Sequence, residues 1–237
     1  MKTLNRKLIF LIPVSVVLFG LFFISGPGYH SSRSYQHFWD LGHIFFFAIL
    51  TILLLSLWQT LAKKSFPGQC IRIVLITLIL GTAIEMFQYG FSRTPDPGDM
   101  VRNLIGSCLA LFFWAPSRKT ITGKKLRILQ LLTALIFMVS LLPLSIALTD
   151  EWTAQKQFPV LSDFETSFEK YRWNGEAVHS IDHRIAYHGK SSLKIQLDTT
   201  EYSGVGLKYF PRDWQNYEAL IFSVYYPASK PLKENSE

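Results

Sequence analysis

Eight polar side chains in two short stretches carry whatever chemistry this chain performs. Asp40 and His43 stand three residues apart, ahead of a run rich in Phe and Leu. Glu85, Gln88, Arg93, Asp96, Asp99 and Asn103 then follow at helix-like spacings, with Gly106 closing the block. On a helix, residues three or four apart share a face, so Asp40 pairs with His43, Glu85 with Gln88, and Asp99 with Asn103. Such a set can hold a headgroup phosphate through Arg93 or His43 by charge-assisted hydrogen bonds. It can also move protons, with His43 and Glu85 as acid and base and a neighbouring carboxylate setting the imidazole's affinity.

The same residues suit a plainer role. A Glu-Arg-Asp network can lock helices together, and Asp99 is placed to cap the helix that begins near residue 100. A lone histidine such as His43 can be a buried, hydrogen-bonded packing residue. Both readings of the set stay open. Ionisable groups at the edge of hydrocarbon are nevertheless costly, and this many at one membrane face exceed what packing requires.

The elements that must position these residues are apolar. Hydrophobic residues make up 49% of the chain and charged residues 17%, with mean hydropathy +0.21. That is too apolar for an ordinary soluble domain. Five runs are candidate membrane spans: 8–24, 41–61, 71–89, 101–114 and 126–148. A span needs about 20 residues, so the fourth is short and suits a helix with its polar end sunk in the bundle, or a re-entrant piece. The first has the basic start of a signal peptide, but its apolar stretch is long and Ser25-Gly26 is a poor cleavage site, so an uncleaved helix is expected. Pro13 and Pro143 are expected to kink the first and fifth helices without ending them. Residues 1–149 thus read as a transmembrane bundle of about five helices.

Basic residues orient it. Lys2, Arg6, Lys7, Lys63, Lys64, Arg72, Arg118, Lys119, Lys124, Lys125 and Arg127 flank one side, against Arg33, Arg93 and Arg102 on the other. The positive-inside rule then places the N-terminus in the cytoplasm and both the polar block and residues 150–237 outside. Trp58 and Trp114 mark the inner interface, and Trp39, Tyr89 and Trp152 the outer one. The net charge of +7 is explained by this flanking pattern, so a nucleic-acid partner is not expected. Cys70 and Cys108 have no metal or redox spacing, and no cofactor or metal is expected from the sequence.

Asp40-x-x-His43, then Glu85-x-x-Gln88, Arg93, Asp96, Asp99, Asn103 and Gly106 in that order, resemble the VanZ-like family of membrane proteins across about residues 38–114. The chain departs from the family pattern at Leu41, where a Lys is common, and at Ala110, near which a further Gly is common. The resemblance implies a multi-pass protein of the bacterial cell (inner) membrane, with a link to glycopeptide resistance. The family has no settled reaction, so the resemblance supplies an address and a site more than a mechanism; the expected role is to engage a lipid-linked or glycan component of the envelope.

Residues 150–237 read differently. Ser192–Asp198 alternates as a half-buried strand does, Val205–Tyr209 repeats the pattern, and Leu220, Phe222, Val224 and Tyr226 give a third inward face. Asp163-Phe164-Glu165, His188-Gly189-Lys190 and Asp213-Trp214 resemble the first half of a galactose-binding-like, jelly-roll carbohydrate-binding module. Trp173, Trp214 and Tyr217 are the glycan-stacking candidates, and they equally suit the inside of a sandwich. A full jelly roll needs roughly twice the residues available after Phe158, so the all-β segment is expected to be incomplete, ending in the polar run 230–237.

Overall fold

The computed structural model describes residues 6–24, 26–28, 30–89, 96–199 and 203–227. Arg93, Pro95, Lys2 and the run 230–237 lie outside the described residues. The chain is mostly helical and divides into two compact units, residues 1–149 and 150–237.

In the first unit, α1 (Arg6–Leu21) contains Pro13 without interruption. A short polar helix that the sequence did not suggest, α2 (Arg33–Asp40), starts at Ser32, whose hydroxyl accepts from the Tyr35 amide at 3.3 Å. One residue later α3 (Gly42–Leu57) continues the direction of travel into apolar sequence. Trp58, in an extended conformation, separates it from the single turn α4 (Gln59–Ala62). Next come α5 (Phe66–Tyr89) and α6 (Pro97–Leu109). A π turn at Ala110–Trp114 then closes α6, with the Ala115 amide reaching back to the Ala110 carbonyl. Gln130 of α7 (Gly123–Ser140) donates to the Phe112 carbonyl inside that turn at 2.9 Å, satisfying an acceptor the irregular turn exposes.

The fifth apolar run is divided. Helix α7 stops at Leu141 and α8 (Leu142–Gln157) begins there. Proline has no N–H to offer the carbonyl four residues back and its ring crowds that carbonyl, so Pro143 interrupts the helix for the single residue Leu141, after which the helical stretch continues.

Among the described residues, three helical stretches are long and apolar enough to cross a membrane: 33–57, 66–88 and 123–157; α1 is a shorter apolar helix. Ile71, Leu75, Ile79, Met86 and Phe87 on α5, and Leu131, Leu135 and Met138 on α7, point outward. Outward apolar rows on spanning-length helices are consistent with a membrane protein.

Helix α6 is the centre of this unit, packing against α3, α5 and α7. Gly106 makes the closest approach: a methyl group there would overlap the Ile44 carbonyl oxygen and meet the Ala48 nitrogen at 3.0 Å. Small residues that let backbones touch are the usual device where lipid removes the hydrophobic incentive for helices to associate. Around this contact, Leu41, Ile44 and Ile105 form one apolar cluster, and Phe22, Phe46, Phe47 and Ile84 a second.

The second unit contains a small β region of two antiparallel pairs. Strands β1 (Trp173–Asn174) and β4 (Gly206–Leu207) make one, and β2 (Val178–Asp182) with β3 (Ser192–Gln196) the other. The alternating segment at 192–198 forms its strand, and that at 205–209 contributes only Gly206 and Leu207. The third expected strand does not form. Residues 218–227 carry no strand assignment, and Leu220, Ile221, Phe222 and Val224 are exposed. Alternation alone does not make a strand without a neighbour to take its hydrogen bonds.

An arginine organises this unit. Arg172, wholly buried, pairs with Asp150 at 2.8 Å and with Glu169 at 3.6 Å, and donates to the Leu161 carbonyl at 2.7 Å. Glu169, equally buried, accepts from the amides of Asp163, Phe164 and Thr166. That wraps the 163–166 turn around one carboxylate, with Phe164 at φ 60°. Glu165 in turn accepts from the Lys190 amide, beside Gly189 at φ +68°. A side chain at Gly189 would be strained by that φ and would strike Glu165.

Candidate functional site

Helix α6 begins at Asp96, not Asp99. Asp96 is the cap, its Oδ1 accepting the Gly98 amide at 2.8 Å, with Pro97 at the first helical position. Proline is pre-shaped for that position and needs no hydrogen-bond partner there, so the helix starts three residues earlier than the capping expectation for Asp99. This frees Asp99 to face inward. Burial works against the Asp96 carboxylate, but the Gly98 amide and the Arg102 guanidinium outweigh it and hold the carboxyl below its ordinary value.

Asp99, Asn103 and His43 meet between α3 and α6. His43 Nδ1 lies 2.9 Å from Asn103 Oδ1, and His43 Nε2 lies 3.3 Å from Asp99 Oδ2. All three side chains are buried, His43 at 1%, Asp99 at 4% and Asn103 at 0% relative exposure. The Phe22 ring from the end of the first helical segment covers the imidazole at 4.5 Å between centroids. Gln88 is tied nearby, donating to the Phe22 carbonyl at 2.9 Å.

Arg102 is the residue that sequence reasoning missed. Its NH1 contacts Asp99 at 2.5 Å and Asp96 at 3.0 Å, and its NH2 lies 3.8 Å from Asp40. The available signal was its position, i+3 from Asp99 and i+6 from Asp96, which puts it over the same helix end. Asp40 is further linked to His37 at 3.9 Å. Glu85 reaches the cluster from α5, its Oε2 accepting the Asp96 amide at 3.2 Å.

A second polar layer lies one turn deeper. Ser107 sits between Thr77 at 2.7 Å and Thr51 at 3.2 Å, joining α6 to α5 and α3. Gly81 of α5 leaves the space that the Asn103 amide occupies. The sequence-singled residues Asp40, His43, Glu85, Asp96, Asp99 and Asn103 therefore share one connected network, and Gln88 flanks it. Among the described residues its acids are Asp40, Glu85, Asp96 and Asp99 and its bases are Arg102 and His43. His43 is enclosed by Asn103, Asp99 and Phe22.

The aromatic candidates of the second unit do not form a shared platform. Trp173 donates to Ser162 at 3.2 Å and packs on Phe164. Trp214 donates to the Pro211 carbonyl at 2.7 Å and packs on Phe210, while Tyr217 stands edge-on to Phe158. Each ring is engaged by its own neighbour.

No family model, curated protein or solved structure matches this chain.

Proposed function

We propose that this chain is a multi-pass protein of a bacterial cell membrane that crosses five times. Its outward-facing polar site engages a lipid-linked or glycan component of the envelope. The observation that carries the reading is the connected His43–Asp99–Arg102 network, gathered where α3 and α6 begin and α5 ends. Charges concentrated at the ends of apolar helices are expensive unless they do something, and all of these face one side. The asymmetry of basic residues supports an outward orientation, with the N-terminus inside and residues 150–237 outside. The resemblance of residues 38–114 to the VanZ-like family supports the envelope setting and the link to glycopeptide resistance.

A second reading treats the cluster as an intramembrane acid–base centre acting on a phosphate or acyl bond. It is favoured by one observation: His43 and Glu85 bring ligand-capable atoms within 4.8 Å of each other. That separation suits relay through one water. A third reading, an anchor for a carbohydrate-binding module, draws less support, because Trp173 and Trp214 spend their N–H groups on internal acceptors.

The test is a binding screen of the purified full chain against polyprenyl-phosphate lipids and envelope glycans, repeated with Glu85→Gln and Arg102→Met. Retention of a lipid-linked ligand by the native protein and loss in both variants, with melting unchanged in Glu85→Gln, supports the proposal. Equal retention by all three overturns it.

A further inference from the structure

The imidazole at the centre of the cluster is held in a particular way. As placed, Asn103 offers His43 a carbonyl oxygen, which can only accept, so the ring proton sits on Nδ1. In the neutral ring Nε2 then presents a lone pair to the Asp99 carboxylate 3.3 Å away. A lone pair against an anion at that distance repels unless something positive lies between them. Glu85 completes the arrangement: one ligand atom each from His43, Glu85 and Asp99 lie within 4.8 Å of one another.

We propose that His43 Nε2, Glu85 and Asp99 bind a divalent first-row transition ion, of the Zn2+ or Mn2+ kind. One imidazole nitrogen and two carboxylates are a donor set such ions accept. Donors about 2.1 Å from a common metal lie roughly 3.0–3.5 Å apart, a spacing the His43–Asp99 pair already has. Glu85 needs only a side-chain adjustment to join. The Asn103 contact to Nδ1 is the outer support that metal-bound histidines ordinarily have, fixing the tautomer and the ring plane. The same amide supplies an independent pointer. Its Nδ2 is fully buried and has no hydrogen-bond partner among the described residues. A water or anionic group held by the metal would satisfy that donor.

Three protein ligands leave coordination positions open, so the ion gives this acid-rich site a means of holding a phosphate or diphosphate. To that extent the proposal rests on the lipid-ligand reading above and deepens it. Arg102 keeps Asp99 and Asp96 oriented from the far side and takes no part in coordination.

The test uses the full chain in detergent, stripped with a chelator and titrated with Co2+ and then Zn2+, with no lipid present. One equivalent of Co2+ should bind with visible absorption, be displaced by Zn2+, and raise the melting temperature. His43→Ala and Asp99→Asn should abolish the absorption. Glu85→Gln keeps the side chain's length and an acceptor for the Asp96 amide, so it should remain folded and lose the metal-induced melting shift. Asn103→Ala should weaken binding about 10- to 100-fold while keeping the absorption band. A folded native protein that takes up no Co2+ or Zn2+, or binding that survives all three ligand substitutions, overturns the metal site. Because metal is read without lipid, its absence leaves the lipid-binding proposal standing, and failure of metal-loaded protein to hold lipid leaves the metal site standing.

Discussion

Asp99 Oδ2 lies 3.3 Å from His43 Nε2 while Asp99 Oδ1 lies 2.5 Å from Arg102 NH1, so one buried carboxylate joins the imidazole to the guanidinium. The aspartates around that guanidinium differ in what their contacts cost to break. Asp99 is nearly inaccessible, whereas Asp40, 3.8 Å from the same guanidinium, remains partly exposed.

That difference makes the first prediction. Arg102→Met strands the buried Asp99 carboxylate, and removing one member of a buried pair costs about 3–5 kcal/mol. Asp40→Asn loosens a partly solvated contact worth about 0–1 kcal/mol. Thermal unfolding in detergent should show a large drop for the first and almost none for the second. Equal drops would mean that Asp99 is solvated in the folded protein.

Gly106 supplies the second. Adding a methyl group drives it into the Ile44 carbonyl, a backbone atom that cannot rotate away. Gly106→Ala should therefore separate α3 from α6 at a cost of about 1–3 kcal/mol and widen the gap between His43 and Asn103. Gly20→Ala, where nothing lies within 4 Å of the added carbon, is the control and should melt like the native protein.

In the second unit the weight falls on Arg172. Arg172→Met leaves the Asp150 and Glu169 carboxylates buried without their cation, and a loss of about 3–5 kcal/mol is expected. Proteolysis should then cut between residues 158 and 172 in the variant and spare the native chain. Resistance equal to the native protein would show that the Glu169-centred turn holds without Arg172.

Orientation gives the fourth. An enzyme reporter active only outside the cytoplasm should be active when fused after Asp150 and silent after Lys64. The opposite pattern would invert the whole topology.

Much of the framework was legible because it obeys short-range rules. Apolar runs became helices, and the alternation at 192–196 became β3. Asp99 and Asn103, four apart on one helix face, both reach His43. What was not legible depends on partners distant in sequence. Arg102 reads in the chain as a charge that orients a loop, and only folding shows it between three aspartates. Asp150, Glu169 and Arg172 look like ordinary surface charges until α8 and the 163–172 segment enclose them. Residues 220–226 alternate as well as β3 does, yet with no neighbouring strand among the described residues they stay open. The helix start at Asp96 was misjudged because a proline inside a turn-like sequence also begins a helix.

The account stands most directly on ligand capture by the polar cluster. Vesicles carrying a polyprenyl diphosphate can be presented to native protein, Glu85→Gln and Asp40→Asn in parallel, with melting recorded on the same samples. The account predicts capture by the native protein and by Asp40→Asn, and at least tenfold weaker capture by Glu85→Gln at unchanged melting temperature, on the order of 1.4 kcal/mol of binding. Capture by Glu85→Gln as strong as the native protein's would contradict it and leave the cluster a structural lock between α3, α5 and α6.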